Sequence, residues 1–515
     1  MIKIYEDDNN DLLTKVFNAY DLSKEKIDEL YNLNLDLPIN EAKCLIEAKK
    51  RILIAKENNE KVLIVGDYDC DGIMSTTIMK SLIDKLNIES GYYIPNRFKD
   101  GYGLNTDIVS LAKTKGYSLI ITVDNGVKAY DALSYAKEVG IDVLVTDHHL
   151  MGELPINNIV VHPCYMSDFF NSLCGAGVAL EIYRMFFNSD RLIVLAAIAT
   201  VADMVELWGY NRLLVKKGIE LLKQNDYPTI KLLASKEINN ETDLSFDLIP
   251  KINSVGRLKE YNANNLVKYF MLEDKYNDYE IKKVALKIIE ANLLRKDLVT
   301  RMNELASNMV KDEDFIICYS DEFNEGLCGL VANKLSLEYK KPALVLALTN
   351  GVYKGSARGV EGFDLHDFLN KYNEYYKNFG GHKGACGLTI EPSKLIKFLE
   401  EVRSSKINIE KVPKLVIKTT FDQLTIDNIN KLDVLRPFGA GLNLPLFYLE
   451  DFIVSKYTLI KDKYPKWYFK SIKDIEAISF EKRNDIANPN FITFNTEIST
   501  YRNQRKLNLL VKNVG

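Results

Sequence analysis

Val62-Leu-Ile-Val-Gly-Asp-Tyr-Asp-Cys-Asp-Gly-Ile73 runs an apolar stretch into three carboxylates, Asp67, Asp69 and Asp71, crowded into five positions. Four apolar residues in succession read as a strand buried on both faces. Like charges this close repel unless a cation sits among them, so the cluster calls for divalent metal held by hard oxygen ligands. The competing reading is an acidic turn in which Asp67 or Asp69 caps a helix starting near Ile73.

Two more apolar runs end the same way. Ser118-Leu-Ile-Ile-Thr-Val123 leads into Asp124-Asn-Gly, and Ile141-Asp-Val-Leu-Val-Thr146 leads into Asp147-His148-His149. Segments of helical length separate the runs, so strands and helices alternate as in a parallel sheet with crossover helices. Ligands of such sheets collect at the carboxyl ends of the strands. Three strands therefore bring their acidic residues, and two of only five histidines, to one edge. A fourth segment, Leu192 to Ala202, is apolar and helical in character and ends in Asp203, a carboxylate costly to bury without a cation. This convergence favours metal over a simple cap.

The rest of the chain sets the frame. Its 515 residues suffice for two or three domains, and 47% apolar with 27% charged residues is the composition of a soluble globular protein. No apolar run reaches the length of a bilayer span. Met1-Ile-Lys-Ile-Tyr-Glu-Asp-Asp lacks the apolar core of a signal peptide, so a cytoplasmic location and no membrane partner are expected. Seven cysteines without a CxxC pair read as reduced thiols, Cys70 included, rather than a disulfide framework or zinc ribbon. A net charge of −4 gives no general affinity for nucleic acid, which must then rely on local patches.

Residues 1 to 60 read as helical and polar, with an amphipathic helix from Asn40 through Asn58 and no site. Asn96-Arg-Phe-Lys-Asp-Gly-Tyr-Gly-Leu104 is a glycine-rich loop in which Arg97, Lys99 and Tyr102 are phosphate or base contacts, or else ordinary solvated side chains. Residues 274 to 310 form a helical connector whose Leu298, Met302, Leu305 and Met309 make one apolar packing stripe. A second α/β unit starts at Phe315, with a helix from Gly326 to Tyr339 and strands at Ala343 to Ala347 and Tyr353 to Ser356. Its Gly380-Gly381-His382-Lys-Gly384 is either a plain turn or a loop that lets the backbone approach a phosphate while Arg358 and His382 donate to the oxygens. From Lys414 the chain turns β-rich, with aromatics interleaved with lysines.

GDYDCDG, VDNG, TDHH and ATVADMV, in that order, resemble the successive signatures of the DHH phosphoesterases. NRFKDGYGL (96–104), CGAGVAL (174–180), INSVGRL (252–258), GLCGLVANKL (326–335), GSARG (355–359), GGHKGACG (380–387) and LRPFGAGLNLPLF (435–447) resemble stretches of the RecJ-type single-strand-specific exonucleases of that family. The resemblance spans residues 40 to 450. It implies an α/β fold: a DHH parallel-sheet domain with an N-terminal extension (1–273), a connector helix (274–312), a DHH-associated α/β domain (313–408) and an OB-like β-rich domain (409–515).

By the same resemblance Asp69, Asp71, Asp124, His148 and Asp203 correspond to ligands of a two-metal centre, with Asp124 as the bridge. Asp67 and His149 complete the catalytic group as ligand, as support behind a ligand or as phosphate contact. Carboxylate with imidazole suits Mn2+ first and Mg2+ second, whereas zinc would call for cysteines here. Arg97, Asn253, Arg257, Ser356, Arg358, Gly380, Gly381 and His382 correspond to substrate-binding positions. Ser356 and Arg358 would hold the 5′-terminal phosphate or the nucleotide backbone, and Arg257, in a turn between the two units, would position phosphate or make an interdomain salt bridge. One or two aromatics of the OB-like domain, Trp467 or Tyr464, would touch DNA.

The activity implied is metal-dependent 5′ to 3′ hydrolysis of single-stranded DNA to nucleoside monophosphates, in recombination and repair, by a monomer that meets a helicase or single-strand-binding protein. The alternatives are a DHH phosphodiesterase of short oligonucleotides or cyclic dinucleotides, and a non-catalytic replication scaffold. Several positions depart from the family pattern. Asn324 and Glu325 replace a tryptophan and a histidine, Lys334 an arginine and Gly359 a serine, and Gly441-Leu-Asn443 replaces a GNP turn. These touch recognition of the strand end rather than the metal ligands, and they mark a divergent member, phage-encoded or carried by a mobile element.

Overall fold

The structure, a computed structural model, describes residues 1–7, 10–152, 159–275, 278–470, 475–480, 486–501 and 504–515. It divides into two compact units, Met1–Leu35 with Val412–Gly515, and Asp36–Lys411. The N-terminal residues thus leave the catalytic domain to which the sequence reading gave them. The cause is strand β1 (Ile2–Tyr5), which pairs in parallel with a strand at Lys414–Lys418, Ile2 opposite Lys414 and Tyr5 opposite Ile417.

The larger unit is built on two sheets. In the first, β2 (Val62–Val65), β3 (Ser90–Tyr93), β4 (Leu119–Val123), β5 (Asp142–Thr146) and β6 (Ile159–Val161) are all parallel, in the order β3-β2-β4-β5-β6. The period-two alternation of a strand sends Val62, Ile64, Ile121 and Leu144 into one core. Leu63, Val65, Ile120 and Val145 enter the core on the opposite face, under helices at Thr106–Thr114 and Tyr130–Glu138. Being covered on both sides is why these strands read as unbroken apolar runs.

The first core holds helices α1 (Cys70–Lys85), α2 (Gly175–Arg184) and α3 (Asp190–Ala202). Helix α1 begins one residue after Asp69, so Asp71 lies in its first turn. A further helix, α4 (Ile249–Val255), carries Asn253; Gly256 and Arg257, the latter expected in a turn, follow at its C-terminal end.

Helix α5 (Asp278–Met309) is the expected connector, 32 residues long. Its buried stripe runs through Ile281, Ala285, Ile288, Ala291 and Met302. Leu298 packs at the edge of the core, but Leu305 and Met309 are each 37% exposed, so the apolar stripe expected at the C-terminal end turns outward. The second sheet follows in the order β10-β11-β9-β8-β7, formed by β7 (Ile316–Ser320), β8 (Ala343–Thr349), β9 (Val352–Arg358), β10 (Tyr376–His382) and β11 (Ala385–Ile390). Helix α6 (Cys328–Tyr339) lies between β7 and β8. Gly380, Gly381 and His382, expected in a loop, are the last residues of strand β10, because Gly380 and Gly381 take places in the ladder opposite Gly387 and Cys386.

In the smaller unit one eight-stranded sheet joins β1 to the strands after Lys414. Trp467 is fully buried there, with its indole N–H donating to the Ile486 carbonyl at 2.9 Å. It is a core residue and no DNA contact. Tyr464 stays partly exposed, under the Lys463 ammonium 5.1 Å from its ring and edge-on to Phe480, which is 63% exposed.

Candidate metal centre

Three parallel strands end at one edge, and each hands over acidic or imidazole groups within a few residues. After β2 the chain passes Asp67 and reaches Asp69, which caps α1: its Oδ1 accepts the Gly72 N–H at 3.1 Å. The cap reading and the metal reading of this loop therefore coexist, because capping occupies one of the two oxygens. Asp71, two residues on, is 2% exposed, and its two oxygens accept the Gly175 and Ala176 N–H groups at 2.7 Å each. These are unpaired amides of the first turn of α2, where the helix dipole favours negative charge.

Asp124 follows β4 in the left-handed region, φ 62°, uncommon for a residue with a side chain. Helix α2 comes so close that a Cβ on Gly175 would stand 2.6 Å from the Asp124 Cβ; only glycine fits. Asn125 locks the turn, donating to the Val65 and Val123 carbonyls and accepting the Leu104 N–H. After β5, Asp147 serves as a hub. Its Oδ2 accepts the Val127 N–H, and its Oδ1 accepts the His148 and His149 N–H groups and meets His149 Nδ1 at 2.8 Å. Asp147 thus holds the backbone of both histidines and the ring of His149.

The donor atoms converge. His148 Nε2 lies 3.1 Å from Asp124 Oδ1, 3.6 Å from Asp203 Oδ2 and 3.7 Å from Asp71 Oδ2. In three overlapping groups, one donor atom per residue lies within 4.8 Å of the others: Asp124 with His148 and His149, Asp71 with His148 and Asp203, and Asp67 with Asp69 and Asp124. Asp124 and His148 each belong to two groups. Asp203 arrives from elsewhere in the sequence as the C-cap of α3.

Electrostatics test whether this set fits a metal. Burial and the neighbouring Asp69 charge push the Asp67 carboxyl well above the usual carboxylate range. Burial together with Asp71 and Asp69 does the same to Asp124, and raises Asp203 to about 9. Burial lowers His148, so its imidazole is neutral and free to ligate. For His149 burial is outweighed by the bond to Asp147, which holds the ring above the ordinary histidine range. Asp67 Oδ1 is buried without a hydrogen-bond partner, an omission costing roughly 1–3 kcal/mol in a protein interior. Carboxylates packed this way stay ionised only around positive charge, and oxygen with imidazole suits a divalent metal. The nearby Cys70 and Cys174 are fully buried, and burial holds both thiols protonated.

The same cleft, about 230 Å³, is lined by Asp67, Asp69, Asp124, His149 and Asp203 and by Arg97, Arg257, Arg358 and Asn253. The three guanidiniums have no carboxylate within 4.0 Å among the described residues. Burial and the nearby Arg97 lower Arg257 to about 10, against the pull of Asp69. Arg97 stacks on the Tyr68 ring at 5.3 Å. Asn253 is half committed, its Oδ1 accepting the Cys70 N–H at 2.8 Å, which ties α4 to the acidic loop.

Ser356, Gly380, Gly381 and His382 do not line the cleft. They do share a sheet with Arg358 in matching register: Ser356 with Gly387 and Gly380, Arg358 with Ala385 and His382. The first turn of α6 covers Ser356 and Arg358, since a Cβ on Gly329 would lie 2.8 Å from Arg358 Nη2. Of the departures from the family pattern, Asn324 caps the turn before α6, Glu325 is buried 3.6 Å from Lys354 Nζ, and Lys334 is exposed.

Sequence reasoning missed Gly175 and Ala176 as the holders of Asp71, because backbone amides leave no trace in residue type. Tyr68 was also missed; it sits inside the acidic motif but carries no charge.

Comparison with known proteins agrees with this architecture. The DHH family N-terminal domain matches residues 61–204, the DHHA1 domain 312–406 and the RecJ OB domain 417–513. The chain is 35% identical over 440 residues to the single-stranded-DNA-specific exonuclease RecJ of Bacillus subtilis, a match covering 81% of this chain but 55% of that protein. It is 30% identical over 430 residues to the RecJ of Haemophilus influenzae, covering 76% of this chain and 73% of that one. The crystal structure of RecJ in complex with Mn2+ from Thermus thermophilus superposes with a TM-score of 0.82 at 22% identity, covering 98% of this chain and 77% of that one, a likeness of fold. With all three domain types in order, and a 30% identical relative matched over most of its length, the chain belongs to the RecJ family.

Proposed function

We propose that the chain is a metal-dependent exonuclease that hydrolyses single-stranded DNA from its 5′ end to nucleoside monophosphates. The observation that carries this reading is a single cleft holding both the Asp67, Asp69, Asp124 and Asp203 carboxylates and the Arg97, Arg257 and Arg358 guanidiniums. A site of acids alone would repel a phosphodiester, and one of arginines alone would bind it without activating water. The names of the relatives, single-stranded-DNA-specific exonucleases, support the same reading.

Asp69, Asp71, Asp124, His148 and Asp203 would hold two divalent ions, with Asp124 between them and Asp67 completing the set. Manganese is the first choice and magnesium the second; the Thermus relative has been solved with each. Bound ions supply positive charge at the attacking and leaving oxygens of an in-line displacement at phosphorus. The chain's own residues do the rest. The α2 amides fix Asp71, so its carboxylate needs no reorganisation when substrate arrives. Arg97, Arg257 and Arg358 grip phosphate oxygens, with planar forks that suit paired hydrogen bonds. His149, its Nδ1 held by Asp147, keeps a proton at Nε2 for a phosphate or departing oxygen. The protein would work in the cytoplasm as a monomer, on strands exposed by a helicase or coated by a single-strand-binding protein.

The test offers single-stranded DNA and RNA, each labelled at one end or the other, to the protein with Mn2+. The DNA label at the 5′ end should appear first, as a mononucleotide, and Asp71→Ala and Asp124→Ala should both stop its release. Binding without hydrolysis would make the protein a scaffold. Hydrolysis confined to dinucleotides or cyclic dinucleotides would make it a small-substrate phosphodiesterase.

A further inference from the structure

Tyr102 sits at the tip of the loop after β3, between Gly101 and Gly103, both left-handed at φ 86° and 65°. Its sequence context suggested a contact for phosphate or base. Its hydroxyl is instead turned into the metal centre, 3.1 Å from the Asp124 carbonyl and 3.4 Å from His149 Nε2. The ring stands edge-on to His149, centroids 6.0 Å apart, and edge-on to Tyr68 at 6.4 Å.

The loop is anchored before and after this tip. Asp100 Oδ2 accepts Tyr93 Oη–H and the Asn96 N–H at 2.8 Å each, Asn105 donates to the Asp100 carbonyl, and the Leu104 N–H reaches Asn125. A residue meant to follow a mobile strand would gain nothing from such bracing. One meant to hold a ligand would.

The two partners of the hydroxyl also need holding. Asp124 has a strained backbone, and its carbonyl is the group that swings if φ relaxes. Because His149 Nδ1 faces the Asp147 carboxylate, the ring's orientation is fixed on one side only; Nε2 is steadied by whatever meets it across the cleft. We propose that Tyr102 is a positioning residue of the metal centre, its hydroxyl pinning the Asp124 peptide and the His149 ring so that the Asp124 carboxylate meets the cations, and His149 the substrate phosphate, without rearrangement. The inference rests on the metal-centre reading but not on the identity of the substrate.

Tyr102→Phe removes the hydroxyl and keeps the ring, so its contacts with Tyr68 and His149 survive. Mn2+ titrated into the DNA-free variant, followed by calorimetry and by the electron-spin signal of the free ion, should show affinity reduced about tenfold, the usual effect of removing a group that orients a ligand. On 5′-labelled single strands kcat should fall by a similar factor with KM within about twofold of the parent. Parental Mn2+ affinity with a raised KM would overturn the proposal and make Tyr102 a strand contact. Parental behaviour in both measurements would overturn it too. If the parent protein releases no nucleotides and the variant still binds Mn2+ weakly, the positioning role stands and the nuclease reading falls.

Discussion

Asp71 and Gly175, 104 residues apart in sequence, are joined by a 2.7 Å hydrogen bond from the glycine N–H to a carboxylate oxygen. The glycine that makes this bond also lets Asp124 come within contact of helix α2. One residue without a side chain therefore sets the distance between an acid in the first turn of α1 and one that follows β4. Gly175→Ala should push Asp124 out of place, lower Mn2+ affinity at least tenfold and destabilise the protein by about 1–3 kcal/mol, the usual cost of overpacking. Metal titration and thermal melting, run on the same sample, check both.

The buried acids oppose one another when no cation is present, so removing one should help the metal-free fold. Asp124→Asn should melt higher than the parent in chelator at pH 8, yet gain little from added Mn2+. A metal-free variant less stable than the parent would mean that Asp124 is held by contacts other than the cation site.

The same repulsion sets a pH dependence. The Asp203 carboxyl is raised to about 9, and Asp67, Asp69 and Asp124 are raised by burial and by one another. The folded, metal-free state thus keeps protons that the unfolded chain gives up near pH 4. Stability from these groups is full below about pH 4 and is lost as pH rises toward 9. In chelator the melting temperature should fall steadily from pH 5 to 9; with saturating Mn2+ the fall should flatten or reverse, since the ion competes with those protons. Scanning fluorimetry across that range reads the two slopes.

Trp467 and Tyr464 should behave oppositely. Trp467 lies in the core of the smaller unit, so in a Trp208→Phe background its emission should ignore both acrylamide and single-stranded DNA. Truncating it to alanine should cost about 3–5 kcal/mol. Tyr464→Ala should leave the melting point alone and weaken single-strand binding severalfold, as loss of one stacking platform does.

Much of this was legible because strand ends and charge leave marks in residue type. Asp67, Asp69, Asp124, His148 and Asp203 each follow an apolar run, and strand topology alone predicts where such residues meet. What stayed hidden was mostly backbone. The amides of Gly175 and Ala176, the peptide of Asp124 pinned by Tyr102, and the carboxamide of Asn253 tied to Cys70 involve main-chain groups common to every residue. Gly380 and Gly381 misled because glycine suits a loop, while a ladder against Gly387 and Cys386 accepts it just as well. Trp467 shows the reverse problem: an aromatic among lysines reads as a stacking platform, and only tertiary structure tells which face of its strand is inside.

The pairing of β1 with Lys414–Lys418 has a temporal side. A ribosome adding about 5–20 residues each second needs roughly 20 to 75 s to travel from Leu35 to Val412. Throughout that interval the first strand has no mate, while everything that carries the acids has emerged and can close up. The unit that carries the acids can thus close first while β1 waits for its mate, leaving an unpaired edge available to chaperones or to a neighbouring nascent copy for the better part of a minute.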